Sequence, residues 1–218
     1  MSNSLIAIFS FEFCAFILSV LTYKKLRENK LRSFPFFLFF IFSGEVSAYF
    51  LAVKFHNNVA FYNIFNAIQI VYYLSLIRLN LMSQKAAKVL LVFIFLFIFI
   101  SLVNYFFIEK LEKELLCYTF TLGCVLIAVW VAYYFHELIL SDDIENYSSR
   151  PFFWIALGLF VFYICNIPYM SIFNYLANNY PVIFKAYFSI IEFLNYIMYS
   201  FFMIGMLCMN KKKLPLQL

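Results

Sequence analysis

Long apolar runs separated by short polar connections dominate the chain. A helix that spans a bilayer needs about 20 mostly apolar residues, and seven runs meet this length: 4–23, 34–53, 59–77, 89–108, 115–135, 151–173 and 184–207. The pattern predicts an all-α polytopic membrane protein in which residues 1–218 form a single seven-helix transmembrane domain. The longest connection, 136–150, is acidic and too short for a folded domain. It is interpreted as a solvated connector or, alternatively, as a docking surface for a basic partner.

The distribution of basic residues predicts the orientation in the membrane. Most of the 16 lysine and arginine residues lie in the tail and in the connections after the first, third and fifth runs, whereas Lys54, Lys110, Lys113 and Lys185 lie on the other side. Because basic connections stay in the cytoplasm, we expect the N-terminus outside and the C-terminus inside the cytoplasmic (inner) membrane of a bacterium.

Composition excludes several classes of protein. Hydrophobic residues make up 66% of the 218 residues and charged residues 12%, whereas soluble domains carry about a quarter charged residues. The net charge of +5 does not indicate nucleic-acid binding, because the basic residues are spread between apolar runs. His56 and His136 fall on opposite sides of the membrane and cannot share a metal, and no G-x-S-x-G turn is present. We expect no enzymatic activity, no cofactor and no metal site.

Three glutamates lie inside the apolar runs at matching depths. Glu12, Glu45 and Glu192 are each eight positions from the predicted outer end of a run (4 to 12, 53 to 45 and 184 to 192), or about 12 Å at the helical rise. A charged side chain at the bilayer centre costs about 2.5–3.5 kcal/mol, so these positions require an explanation. Amide side chains complete a predicted polar layer of six residues in the outer half of the membrane, at Asn66, Gln69 and Asn166.

Helical spacing predicts that this layer faces the interior of the bundle. Polar stripes follow the third run (Tyr62, Asn66, Gln69, Tyr73) and the last run (Ser189, Glu192, Asn195 or Tyr196, and Tyr199), and polar stripes on membrane helices face protein. Three interpretations remain open: hydrogen-bonded contacts between helices, a ligand, proton or cation site, and chance. No lysine or arginine lies deep in a run, so the carboxyl groups are expected to be neutral or to bind a cation. We predict that Glu192 is mostly protonated and lies near Glu45 or Glu12.

A weak internal repeat suggests a three-plus-one-plus-three arrangement of parallel copies. "RSFPFF" opens the second run and "SRPFF" the sixth, and "IFNAIQIVYY" (64–73) can be aligned with "YFSIIEFLNY" (187–196). The fourth run, apolar on all sides, would then be a connector at the periphery. Pro168 is interpreted as a kink or a helix end, or as a kink that shapes an outward-facing cavity.

Three stretches of the sequence resemble a known group of proteins. They are "FYNIFNAIQIVYYLSLI" (61–77), "SRPFFWIALGLFVFYICNIPY" (149–169) and "FSIIEFLNYIMYSFFMIGML" (188–207). The chain resembles uncharacterised seven-helix membrane proteins of Bacteroidota, which are often encoded near sensor histidine kinases. The resemblance implies a sensory or partner role in the membrane. In such proteins a glutamate is expected where this chain has Gln69.

These observations leave three candidate functions. The first is a receptor-like sensory or adaptor module that binds a small or lipidic ligand in an outer-half cavity and couples to a cytoplasmic partner such as a histidine kinase. The second is a small proton- or cation-coupled transporter of the three-plus-one-plus-three kind. The third is a structural membrane subunit. The partners expected from sequence are therefore the lipid bilayer, the ligand and the cytoplasmic protein, and not nucleic acid.

Overall fold

A computed structural model describes residues 3–108, 115–141 and 144–208, and within them it contains helices and no strand. The helices are α1 (Asn3–Leu21), α2 (Tyr23–Glu28), α3 (Phe34–Phe55), α4 (Val59–Asn80), α5 (Gln84–Phe107), α6 (Cys117–Ile139), α7 (Pro151–Ser171), α8 (Phe173–Asn179) and α9 (Pro181–Cys208). A single 3₁₀ helix, Ile144–Ser149, precedes α7.

The apolar runs of the sequence correspond to long helices. Six of them, α3, α4, α5, α6, α7 and α9, are long and apolar enough to cross a membrane, and a seventh apolar helix over Ile6–Leu21 is shorter. Side chains exposed on the outside of the bundle are largely apolar, among them Phe95, Phe99 and Phe193. Several long apolar helices of this kind indicate a multi-pass integral membrane protein.

The helices differ from the predicted runs mainly at their ends. The predicted connection after the first run contains α2, and α6 continues through His136 and Glu137 to Ile139, where a connection was expected. A further short helix, α8, lies between the last two long helices. Pro168 does not end its helix, because α7 continues to Ser171. Some helices extend beyond the predicted runs, such as α5 and α6 at their basic ends, whereas α1 and α7 end two residues before them.

Local sequence signals set several of these ends. Pro35 and Pro151 stand in the first turns of α3 and α7, where proline's missing N–H has no helical partner to lose. The Ser83 hydroxyl accepts the Ala86 N–H at 3.3 Å and caps α5. His56, with φ of 53°, ends α3 in the left-handed conformation that often closes a helix.

The long helices pack as an incomplete ring. The ring consists of α4, α6, α7, α9, α1 and α3, in that order, and α7 packs most extensively on α9, while α5 packs at one end of the ring against α4 and α6. The ring closes weakly between α3 and α4, which meet through aromatic contacts such as the stacked Phe37 and Tyr72 rings, 3.6 Å between centroids. The predicted repeat would match α3 with α7 and α4 with α9. However, α7 and α9 pack closely, whereas α3 and α4 contact each other only weakly. The repeat therefore stays a prediction.

The fourth predicted run is peripheral, as expected from its uniform hydrophobicity. Along α5, Phe93 and Phe95 are exposed on the outside of the bundle, and Phe97 is buried against it. The helix contacts α4 and α6 but lies at one end of the ring. This confirms the prediction that the run lies at the edge of the bundle.

The two ends of the bundle differ. We call the end with the connections after α1, α4 and α6 the basic end, because most lysines and arginines lie there. At this end Lys30 Nζ donates to the Leu79 carbonyl at 3.3 Å. The Glu137 carboxylate accepts the backbone N–H groups of Met82 and Ser83 at 2.7 and 3.0 Å. These contacts tie the three connections together, and they show that Glu137 binds the α4–α5 turn rather than belonging to a solvated connector. Asp142 and Asp143 lie outside the described residues.

Candidate functional site

A cavity of about 700 Å³ opens at the end of the bundle opposite the basic end. Its mouth is formed by residues at helix ends and in α8, including Asn58, Leu115, Asn174 and Asn178. Its wall comes from most of the helices of the ring. The deeper lining combines carboxylate, amide and aromatic side chains: Glu12, Glu45, Tyr62, Asn66, Gln69, Phe120, Phe162, Tyr163, Asn166, Tyr169, Phe188, Asn195 and Tyr199.

Glu12 lies deepest among the charged groups of this lining. Its side chain is 3% exposed, and its Oε1 accepts the Tyr199 hydroxyl of α9 at 3.2 Å. Its second oxygen, Oε2, is buried without a hydrogen-bond partner. A buried polar atom left unpaired is costly, so this oxygen is a candidate for contact with a ligand.

Glu45 faces the same cavity from α3. Its Oε2 accepts the Tyr62 hydroxyl of α4 at 2.7 Å, and it shares the cavity lining with Glu12. This hydrogen bond bridges the weak α3–α4 contact. The cavity therefore holds two carboxyl groups, each oriented by a tyrosine hydroxyl from a different helix.

The predicted amides also line the cavity. Asn66 and Gln69 project from α4, Asn166 from α7 and Asn195 from α9. Asn166 is fully buried, and its Nδ2 donates to the Phe162 carbonyl at 2.8 Å, while its Oδ1 has no partner. Asn195 Nδ2 donates to the Ile191 carbonyl at 3.2 Å. The structure thus brings together six of the seven residues predicted from sequence.

Glu192 is the exception, because it does not belong to the cavity lining. The face of α9 that lines the cavity carries Ile191, Asn195, Met198 and Tyr199. Glu192 is not part of this lining, although it lies at the edge of the face, one helical turn from Phe188 on one side and from Tyr196 on the other. Tyr196 packs on Phe11 of α1 with ring centroids 5.1 Å apart. The structure leaves Glu192 outside the cavity lining, and its proximity to the other two glutamates stays a prediction.

Asparagines near the mouth hold the segment before α6 in place. Asn63 Oδ1 of α4 accepts the Leu116 N–H at 2.9 Å, and Asn174 Nδ2 of α8 donates to the Leu115 carbonyl at 3.2 Å. Sequence reasoning missed Asn174 and did not assign Tyr62, Tyr169 or Tyr199 to the site. Tyr62 and Tyr199, whose hydroxyls bind the two carboxyl groups, lie on the predicted polar stripes. Their position on these stripes was the sequence signal that could have assigned them to the site.

Packed aromatic rings form the floor of the cavity toward the basic end. The floor consists of Phe34, Tyr73, Tyr163 and Phe202, all of them buried. Tyr73 contacts Tyr163 and Phe202 with ring centroids 5.9 and 6.5 Å apart, and Phe34 contacts Phe202 at 5.4 Å. Over the described residues the cavity lining ends above Phe34 and Phe202.

An apolar groove of about 560 Å³ lies between α4 and α5 on the outside of the bundle. A space of about 20 Å³, which is room for about one water molecule, lies between this groove and the cavity. It shares Asn63 and Thr119 with the groove and Asn66 and Phe120 with the cavity. The α4–α6 contact is thus the thin wall between the polar interior and the lipid-facing side.

No group of three or more histidine, cysteine, aspartate or glutamate side chains gathers within the part of the chain that the structure describes. The two cavity carboxyl groups are therefore not part of a recognisable metal cluster there. Comparisons with protein families, curated proteins and solved structures find no match to this chain. The cavity is therefore interpreted from its own residues.

Proposed function

We propose that this chain is a non-enzymatic, receptor-like protein of a bacterial cytoplasmic membrane that binds a small ligand in the outer cavity and signals to a cytoplasmic partner. The observation that carries the proposal is the cavity itself. It combines about 700 Å³ of space with the buried, unpaired Glu12 Oε2 and Asn166 Oδ1. Ligand sites are concave, mostly apolar and about 300–1,000 Å³ in volume, with a few convergent polar groups.

A path for the signal runs along α9. This helix carries Asn195 and Tyr199 at the cavity and Gly205 near the basic end. A Cβ added at Gly205 would lie 2.7 Å from the Pro151 carbonyl oxygen, at the start of α7. A shift of α9 caused by ligand at Tyr199 would therefore be transmitted to the connection before α7. The cytoplasmic partner is proposed to be a signalling protein such as a histidine kinase, as the resemblance implies.

A ligand screen with cavity-blocked variants tests the proposal. The purified protein in nanodiscs is exposed to small anions, neutral molecules and cations, and thermal unfolding is followed. Ala177→Trp fills the mouth, and Ala132→Trp, on the exposed outer face of α6, is the matched control. We expect at least one compound to stabilise the wild type and Ala132→Trp but not Ala177→Trp. If every hit also stabilises Ala177→Trp, the cavity is not a receptor site.

Proton- or cation-coupled transport is the second candidate, favoured by the pair of carboxyl groups facing one cavity. Transport requires the floor formed by Tyr73, Tyr163 and Phe202 to open, since these rings lie between the cavity and the basic end. Flux measurements in proteoliposomes separate the two functions. A receptor retains a hit compound on the outside, whereas a transporter accumulates it in the lumen.

A further inference from the structure

The buried unpaired atoms of the cavity lining indicate which ligand chemistry would be complementary to it. Glu12 Oε2 and Asn166 Oδ1 have no hydrogen-bond partner, and their side chains are 3% and 0% exposed. Asn166 Oδ1 is an acceptor, and Glu12 Oε2 is an acceptor when its carboxyl group is ionised, as it would be beside a bound cation. The third unpaired atom of the lining is the Tyr169 hydroxyl, which can donate or accept.

The donors nearest to these acceptors are already engaged. Tyr199 donates to Glu12 Oε1 and Tyr62 donates to Glu45 Oε2. The Asn166 amide nitrogen donates to the Phe162 carbonyl, which leaves its oxygen facing the cavity. Among the buried lining atoms without a partner, two are oxygens that can accept and one is a hydroxyl, so a ligand that satisfies all three must supply hydrogen-bond donors.

The charge of the lining points in the same direction. Glu12 and Glu45 line the same cavity, and no lysine or arginine occurs among the described residues of its lining. A positive charge between the two carboxylates would satisfy both. Hydrogen bonds between a charged donor and a carboxylate are roughly twice as strong as neutral ones.

Size and aromatic content favour an organic cation over a bare ion. A metal ion requires a compact shell of ligands, whereas this cavity measures about 700 Å³. Tyr62, Phe162, Tyr163 and Tyr169 present aromatic rings to the same space. Aromatic faces attract ammonium groups and accommodate an apolar body.

We propose that the ligand of this cavity is a small protonated amine, with its N–H groups bound by Glu12 Oε2 and Asn166 Oδ1 and its apolar body packed on the aromatic lining. This inference rests on the proposed function, because it names the ligand class of the same site. It adds that both positive charge and N–H donors are required for recognition.

Calorimetric titration of the full chain in nanodiscs, with empty nanodiscs subtracted, tests both requirements with four matched probes. They are 2-phenylethylamine (charge and N–H donors), its N,N,N-trimethyl derivative (charge without N–H), 2-phenylethanol (neutral) and 3-phenylpropanoate (anionic). We expect 2-phenylethylamine to bind at least tenfold more tightly than the other three. Glu12→Gln should weaken its binding at least tenfold. Glu192→Gln, which alters a glutamate at similar depth outside the lining, should leave binding within twofold of the wild type.

Asn166→Leu provides a second test if Glu12→Gln fails to fold, and it should weaken 2-phenylethylamine binding at least fivefold. Equal binding of 2-phenylethanol, or equal effects of Glu12→Gln and Glu192→Gln, would overturn the inference. The receptor proposal would survive in that case, provided that Ala177→Trp still blocks the ligands that bind. No binding of 2-phenylethylamine at millimolar concentration would also overturn the amine assignment, whereas the receptor proposal is decided by the broader screen.

Discussion

At the scale of single residues, the hydrogen bonding of a buried polar group distinguishes side chains that stabilise the fold from side chains that could bind a ligand. Glu137 and Glu12 are both carboxylates on apolar helices, yet they are satisfied differently. Glu137 binds two backbone N–H groups of the α4–α5 turn, whereas Glu12 has one oxygen without a partner. A satisfied group stabilises the fold, and an unsatisfied buried group indicates a site.

Replacement of Glu137 should destabilise the basic end. Glu137→Ala removes two charged hydrogen bonds to the Met82 and Ser83 N–H groups, each worth about 1.5–3 kcal/mol. We expect a lower midpoint of thermal unfolding in nanodiscs than for Glu28→Ala, an exposed glutamate of α2 at the same end. Glu137→Gln, which keeps one acceptor, should fall between them. Equal midpoints for Glu137→Ala and Glu28→Ala would contradict the assigned role.

At the scale of helices, hydropathy predicted the spans well and their rotation poorly. Apolar runs are visible in sequence because lipid accepts few polar residues. The rotation of a helix about its axis depends on its neighbours, and the last run carries Glu192 and Asn195 only three residues apart. Depth placed Glu192 in the polar layer and helical spacing placed Asn195 on its stripe, but of the two only Asn195 lines the cavity. Hydrogen-bond partners such as Tyr62 and Tyr199 were not assigned because pairing across helices is a tertiary property.

The periphery of α5 gives a matched pair of substitutions. Phe97 is 1% exposed and Phe95 is 64% exposed. Phe97→Ala should lower thermal stability, whereas Phe95→Ala, which faces outward, should change it little. The loss at Phe97 should be smaller than the roughly 3–5 kcal/mol typical of soluble cores, since lipid is as apolar as the bundle interior. A larger loss for Phe95→Ala would mean that this face of α5 is covered by protein.

The α7–α9 contact depends on small residues. At Gly205, an added methyl group would lie 2.7 Å from the Pro151 carbonyl oxygen and 3.1 Å from Trp154 Cβ. Backbone atoms can move aside only if the whole helix shifts. Gly205→Ala should therefore separate α7 and α9 and lower the free energy of unfolding by about 1–3 kcal/mol. Thermal unfolding measures the loss, and Ala132→Leu, on the exposed side of α6, is the control. An unchanged midpoint for Gly205→Ala would show that the contact is looser than described.

At the scale of the whole molecule, the bundle is polarised along its axis. One end holds the polar cavity with its mouth at α8, and the other is closed by the aromatic floor and tied together by contacts of Lys30 and Glu137. An open cavity at one end and fixed connections at the other suit a protein that receives a signal on one side of a membrane and presents it on the other.

The orientation of the bundle determines which compartment the cavity samples. Basic connections remain in the cytoplasm, so the mouth should open to the outside. With the native cysteines replaced, a membrane-impermeant maleimide should label Asn178→Cys, at the cavity mouth, in intact cells. Met82→Cys, at the basic end, should react only after permeabilisation. Both positions carry exposed side chains, so access to reagent and not burial decides the result. The reverse pattern would place the cavity in the cytoplasm, and a receptor for an external ligand would then be impossible with this fold.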